Sequence, residues 1–290
     1  MTSLVPSIPH LLPYNITTNS YIATHTANSF TNLFQEHMPK LAIPTYFPKL
    51  SLSIMAWHSS GTTNTSLIQN LFSNNLITTP LVKEAFLRVD RAHYCPSTSS
   101  AYQDSPQSIG WKATISAPHM HASAVENLSP FLLPDEGENG RGRRVLDVGS
   151  GSGYLTHIFA EMVCADGGEV VGIEHIEPLR ALGKSNMSKS DSGREYLRNG
   201  KVKFVKGDGR KGWDDGKGGW DAIHVGAAAK VIHEELIQQL KKPGRMFIPV
   251  DGEDGSGNQS VWTIDKHEDG RIEKRKLYGV RYVPLTDAEE

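Results

Sequence analysis

The spacing of hydrophobic positions changes along the chain, and the change falls near residue 144. Before it the period is helical. Leu67, Ile68, Leu71 and Phe72 share one face from Ser66 onward, and Asn74-Asn75 breaks the run. Thr79 followed by Pro80 has the form of an N-cap with proline at the first helical position. Leu81, Val82, Ala85, Phe86 and Val89 continue at helical spacing behind it. Residues 95–117 are short, polar and turn-rich, 118–132 are helical again, and 134–143, with Pro, Gly and mixed charge, read as a linker.

From Arg144 short apolar runs alternate with helical stretches. Strands are expected at 144–148, 169–173, 202–205, 221–225 and 245–250, with helices at about 153–164, 177–189 and 229–241. Such alternation means an α/β domain with a parallel sheet and crossover helices. The tail departs from it. Residues 260–265 and 271–278 flank His267-Glu268-Asp269-Gly270, a hairpin signal, so the sheet should end in antiparallel strands.

Composition narrows the class. The chain has 290 residues, 38% hydrophobic and 21% charged, with a formal net charge of −2. That is enough to bury a core, in one large domain or two small ones. The near-neutral balance carries no footprint of a duplex nucleic-acid binder, and no apolar run approaches the roughly 18–20 residues that span a bilayer. Two cysteines, Cys95 and Cys164, cannot build a disulfide framework, so a cytosolic or nuclear protein is expected. Residues 1–54 stand apart. They are rich in Ser, Thr, Asn and Pro, hold Glu36 as their single acid and Lys40 and Lys49 as their strong bases, and contain no Arg. A disordered extension is expected there; the alternatives are a weak organelle signal, which the missing Arg disfavours, and translation from Met55.

The strongest local signal runs from Val145 to Leu155. An apolar strand ends at Asp147-Val148 and enters Gly149-Ser150-Gly151-Ser152-Gly153, three glycines at alternate positions, before an apolar helix. Glycine allows a tight turn and lets a ligand approach without a Cβ in the way. A bare structural turn and a dinucleotide site are the alternatives, and the second would want G-x-G-x-x-G. G-x-G-x-G with an acid two residues upstream suits S-adenosyl-L-methionine, whose ammonium the acid attracts and whose carboxylate main-chain N–H groups can receive. Glu174, ending the next strand, stands where such units bind ribose hydroxyls. Gly207-Asp208-Gly209 after the third strand is by itself a turn, but in this order it becomes an adenine-binding candidate.

The segment before the glycine loop is more specific. Asp104-Ser105-Pro106-Gln107-Ser108-Ile109-Gly110, then Ala113-Thr114-Ile115-Ser116-Ala117-Pro118-His119-Met120-His121-Ala122, closely resembles the protein-L-isoaspartate (D-aspartate) O-methyltransferase family. So do Met55-Ala56-Trp57, Asp90-Arg91 with His93-Tyr94, the glycine loop, the run from Asp221 to Ala229, and the run from Tyr282 to Asp287. The resemblance covers about residues 55–288. It implies a Rossmann-like, mostly parallel seven-stranded sheet at 141–290, behind an N-terminal helical lobe at 55–140. The implied reaction moves a methyl group from S-adenosyl-L-methionine to the free α-carboxyl of L-isoaspartyl residues, and more slowly of D-aspartyl residues, in damaged proteins and peptides. The ester then closes to a succinimide, which initiates repair.

Carried over by position, the resemblance makes Ser116 the active-site serine. It places Ser108, Ile109, Gly110, Trp111, Lys112, Thr114 and His119 on the substrate side. Asp147, Gly149, Ser150, Gly151, Gly153, Glu174, His175, Asp208, Gly209 and Thr286 fall in the cofactor pocket. A cytoplasmic monomer without nucleic-acid or membrane partners is implied. Three places depart from the family pattern: 184–200 is longer or diverged, Lys230 follows the triple alanine, and Lys241-Lys242-Pro243-Gly244 alters a turn.

The chemistry agrees with a site that lacks a Ser-His-Asp constellation. The sulfonium methyl is already activated and a carboxylate is ionised at pH 7, so transfer needs alignment and desolvation rather than a base. His119 and His121 at i, i+2 do not share a helix face, which argues against a metal. His224, in a buried strand, reads as structural, and Cys95 and Cys164 as inert core thiols. Lys274, Arg275 and Lys276 read as a solvated strand edge. Two other functions stay open at this level: a related methyltransferase with a small-molecule or nucleic-acid acceptor, and a binding adaptor without turnover.

Overall fold

The computed structural model describes residues 59–133, 142–252 and 257–285. The expectations for residues 1–54, for Met55, Ala56 and Trp57, for most of the 134–143 linker and for Thr286 lie outside the described residues. Among the described residues no helix is long and apolar enough to cross a membrane.

The helical segment begins with α1 (Asn64–Ser73) and α2 (Pro80–Arg88). Thr63 caps α1 through a bond from the Ser66 N–H to its hydroxyl. Leu67, Ile68 and Leu71 are fully buried, each contributing about 1.5–3 kcal/mol of transfer free energy. Thr79 precedes α2 as expected, but its hydroxyl does not cap the helix. It donates to Glu126, whose carboxylate also receives the N–H groups of Thr78 and Thr79. A hairpin of β1 (Gln107–Gly110) and β2 (Ala113–Ile115) follows, then α3 (Pro118–Leu128).

The remainder is β3 (Arg144–Val148), α4 (Tyr154–Val163), β4 (Glu169–Glu174), α5 (Glu177–Met187), α6 (Asp191–Arg198), β5 (Val202–Lys206), β6 (Trp220–Val225), α7 (Glu234–Gln239), β7 (Leu240–Asp251), β8 (Gln259–Lys266) and β9 (Ile272–Val280). These strands form one sheet in the order β5-β4-β3-β6-β7-β8-β9. The first five run parallel and β8 and β9 return antiparallel. This is the mostly parallel, Rossmann-like seven-stranded sheet with an antiparallel end that the sequence implied. Chain order reverses between β3 and β6, and open α/β sheets bind ligands at that crevice, beyond the carboxyl ends of the strands.

Alternation along the strands sorts side chains to two faces. Val145, Val170, Ala222 and Phe247 join a core with α4 and the helical segment; Leu146, Val148, Val171, Ile223 and Met246 join another with α7. Leu67, Ile68 and Phe86 share the first core with Tyr154 and Ile158, so the helical segment and the sheet are packed as one body.

Four elements differ from expectation. The helix expected at 229–241 shrinks to 234–239, because neighbouring strands take the main chain before it. Ala229 donates to the Pro249 carbonyl and accepts from the Asp251 N–H, and Ala228 exchanges bonds with Val283 and Leu285. At its other end Leu240 already pairs with Trp220, so β7 starts five residues early. Within the diverged stretch, α6 is an additional helix, capped by Ser190 and fully burying only Gly193, so it has no wide apolar stripe to read. The turn-rich 95–117 holds the β1–β2 hairpin.

Candidate active site

The cleft lies where β3 and β6 end. The lobe contributes Thr114, Ile115, Ser116 and His121; the sheet side contributes Asp147, Gly149, Ser150, Gly151, Ser152, Leu155, His224 and Gly226. Of the expected residues, Thr114, Ser116, Asp147, Gly149, Ser150 and Gly151 are thus brought together. Ser116 is half-buried, and its hydroxyl has no partner among the described residues.

The glycine loop has the conformation its composition requires. Gly149, Gly151 and Gly153 have φ of 74°, 48° and 82°, values that L side chains adopt only with strain. A Cβ on Gly149 would meet nothing within 4 Å, whereas one on Gly153 would stand 2.8 Å from the Gly183 carbonyl. The first glycine leaves room for a ligand; the third lets α4 and α5 touch backbone to backbone. One expectation is corrected here. The N–H groups of Gly149 and Ser150 bond the Ile173 carbonyl, that of Gly151 the Glu174 carboxylate and that of Gly153 the Ser150 carbonyl. Those four are spent on the turn itself and are not free donors to the cleft. Ser150 Oγ is buried without a partner, a polar atom that an occupant of the cleft could satisfy.

Asp147 is 1% exposed, and each of its carboxylate oxygens accepts one hydrogen bond. Its Oδ1 accepts from His224 Nδ1 at 2.8 Å and its Oδ2 from Thr156 Oγ1 at 2.6 Å. Strand register explains the first bond: Asp147 pairs with His224 across β3 and β6, and alternation turns both toward α4, which carries Thr156. His224 therefore lines the cleft as well as bracing Asp147, a role the sequence reading missed. The pairing of strands 144–148 and 221–225 was the signal that could have found it. No serine hydroxyl bonds His224 among the described residues, so the nucleophile–base link of a hydrolytic triad is not formed.

Beside the cleft, Glu174 and Asp208 end β4 and β5. Glu174 accepts from the Gly151 and Ile176 N–H groups, and His175 stands 3.3 Å from it. Asp208 takes Arg210 on both oxygens, and this pairing holds its carboxyl below the usual range. Gly209 packs so closely on β3 that a Cβ would lie 2.3 Å from Val148 Cγ1. These residues form a row along the same sheet end, outside the cleft lining.

On the substrate side the structure separates the two helical histidines. His119, expected at the substrate, turns to Asp104, which bonds its ring at 2.8 Å and its N–H at 3.0 Å at the start of α3. It does not line the cleft; His121 does, roughly 200° further round the helix. Ile109 reaches Gly151, with its Cδ1 3.4 Å from where a Cβ there would be. Ser108, Gly110, Trp111 and Lys112 are exposed on the hairpin above it.

The sequence and fold comparisons decide the family. The family model for protein-L-isoaspartate(D-aspartate) O-methyltransferase matches residues 62–290. A Caenorhabditis elegans protein-L-isoaspartate O-methyltransferase is 46% identical over 236 residues, covering 81% of this chain and 98% of the relative. The chain belongs to the protein-L-isoaspartate (D-aspartate) O-methyltransferase family. Protein-L-isoaspartate O-methyltransferase 1 of Arabidopsis thaliana is 44% identical over 231 residues, covering 80% of this chain and 94% of that one. A Plasmodium falciparum crystal structure described as a protein-L-isoaspartate O-methyltransferase, in complex with S-adenosyl-L-homocysteine, superimposes with a TM-score of 0.68 at 32% identity. It covers 78% of this chain and 99% of its own. As a member of this methyltransferase family the chain is an S-adenosyl-L-methionine-dependent enzyme acting on isoaspartyl residues in protein repair.

Proposed function

We propose that Ser116 holds the free α-carboxyl of an L-isoaspartyl residue in the cleft, opposite the glycine loop that seats S-adenosyl-L-methionine. D-aspartyl residues are slower substrates. The observation that carries this reading is the unpartnered Ser116 hydroxyl on the lobe wall, facing a cleft whose other wall is Asp147 and the loop. When bound, the cofactor supplies an activated methyl group. The chain's own residues align and desolvate. Gly149 leaves the space, Asp147 contributes a negative charge for an ammonium, and Glu174 and Asp208, with lone pairs left over, suit ribose and adenine. His175 and Gly209 complete that pocket in this reading. Ile109 and Thr114 close the lobe side, and Ser108, Gly110, Trp111 and Lys112 meet the polypeptide around the damaged residue. The lobe at 55–140 serves the acceptor and the core at 141–290 the cofactor. We place the enzyme in the cytoplasm as a monomer. Its two thiols are free and buried.

The deciding experiment offers labelled S-adenosyl-L-methionine and one peptide carrying either L-isoaspartate or L-aspartate at the same position. Base-labile label on the isoaspartyl form alone is expected; label on both forms or neither overturns the reading. Ser116→Ala is expected to lower kcat by about 10–10³, the span of one positioning donor, and an unchanged kcat/KM removes that role.

Trp111 and Lys112 give a second test. They form a two-residue hairpin turn with φ of 48° and 56°, and the Trp111 side chain is 54% exposed. Asn-Gly makes this turn with far less strain, which runs to about 1–2 kcal/mol per ordinary left-handed residue. Trp111→Asn with Lys112→Gly is expected to raise Tm by about 2–5 °C and to raise KM for an isoaspartyl peptide. A rise in Tm with KM unmoved shows that the hairpin tip does not touch substrate.

A further inference from the structure

Arg91 is the most deeply buried cation of the described residues. It stands at 0% exposure in a short 3-10 turn, Arg91–His93, with no carboxylate in ion-pair distance among the described residues. A charge in that position is expensive unless its donors are used. Two of them reach the cleft wall. Nη2 donates to the Ser116 carbonyl at 2.7 Å, and Nη1 meets His121 Nδ1 at 3.2 Å. The guanidinium also lies over the Tyr154 ring, 5.2 Å from its centroid.

The contact with His121 fixes chemistry as well as position. Guanidinium is a donor only and stays charged, so His121 Nδ1 must accept. The neutral ring then carries its proton on Nε2, which has no protein partner among the described residues. His224 across the cleft has the opposite arrangement, donating from Nδ1 to Asp147. The groups facing His121 are Arg91 from the 3-10 turn, Tyr154 from α4, His224 from β6 and His119 from its own helix. Burial first, and the Arg91 charge second, push the His121 pKa well below the usual histidine value.

We propose that Arg91 is a positioning residue for methyl transfer: its buried guanidinium locks the Ser116 main chain and holds His121 as the Nε2–H tautomer, a fixed neutral donor to a carboxylate in the cleft. This rests on the reading of the cleft as the methyl-transfer site. A neutral donor suits the reaction, because it aligns a carboxylate without offering it a proton.

The test uses full-length enzyme with labelled histidine nitrogens. Two-bond proton–nitrogen spectra are expected to show His121 as Nε2–H and untitrated from about pH 5.5 to 8.5, a readout that needs no turnover. In Arg91→Met the ring should titrate or change tautomer, and kcat/KM for an isoaspartyl peptide should fall about 10²-fold with a new pH dependence. Calorimetry with S-adenosyl-L-homocysteine on the same variant separates lost cofactor from lost substrate alignment. The proposal is overturned by an Nδ1–H tautomer in the wild type. It is equally overturned if Arg91→Met lowers only Tm and leaves spectrum and kcat/KM within twofold. Should Arg91→Met not fold, His121→Gln and His121→Asn decide. Gln puts an amide near the Nε2 position and should retain at least tenfold more kcat/KM than Asn, which does not; equal losses overturn the proposal.

Discussion

Gly153→Ala is expected to unfold the glycine loop, while Gly149→Ala is expected to leave the fold nearly intact and abolish tight cofactor binding. Both residues have positive φ, so each alanine carries the left-handed penalty of about 1–2 kcal/mol. They differ in what the new methyl meets. At Gly153 it lands 2.8 Å from the carbonyl oxygen and 2.9 Å from the Cα of Gly183, which is main chain and cannot swing aside. Gly183 is itself pressed to Gly151 and Phe204, so α4 and α5 must separate, adding about 1–3 kcal/mol of overpacking. The total of about 2–5 kcal/mol corresponds to a Tm drop of about 5–15 °C. At Gly149 the methyl has open space and enters the cleft. Thermal denaturation and calorimetry with S-adenosyl-L-homocysteine distinguish the two. Gly149→Ala binding like the wild type would mean the ligand does not lie against that residue.

The same contrast shows what a sequence can disclose. The loop was legible because strand, glycines and helix are contiguous, and the parallel sheet because its runs are apolar and separated by helices. The antiparallel end was legible from one hairpin signal. The β1–β2 hairpin was not, since Trp111-Lys112 is a turn local preferences disfavour; its strand residues alternate, but over too few positions to read. The helix at 229–241 was overcalled because the main-chain bonds that consume Ala228 and Ala229 come from Pro249, Asp251, Val283 and Leu285. The site divides likewise. The glycine-loop spacing pointed to Asp147 and the family resemblance to Ser116 and Thr114, all of which line the cleft, but the resemblance offered His119 where the lining residue is His121. Only the buried Asp104, fifteen residues away, explains why His119 turns from the cleft. Arg91 and His224 act through side chains distant in sequence, and no local pattern carries that information.

Asp147 is where structural and cofactor roles overlap, and two substitutions separate them. Asp147→Ala strands the Nδ1–H of His224 and the hydroxyl of Thr156 at sites 4% and 0% exposed. Breaking such a buried pair costs about 3–5 kcal/mol, so this variant should lose Tm steeply. Asp147→Asn keeps the shape: its carbonyl accepts from His224, and its amide faces Thr156 Oγ1, which can turn to accept. It loses the charge alone, and its Tm should stay within a few degrees. If Asp147 serves the cofactor's ammonium, both variants should bind S-adenosyl-L-homocysteine about 10–10²-fold more weakly, the scale of one charged hydrogen bond. The asparagine form should do so while still folded. Calorimetry on Asp147→Asn is therefore the sharper measurement. Wild-type affinity there would make Asp147 a brace for His224 and α4, and would move recognition of the ammonium to another group in the cleft.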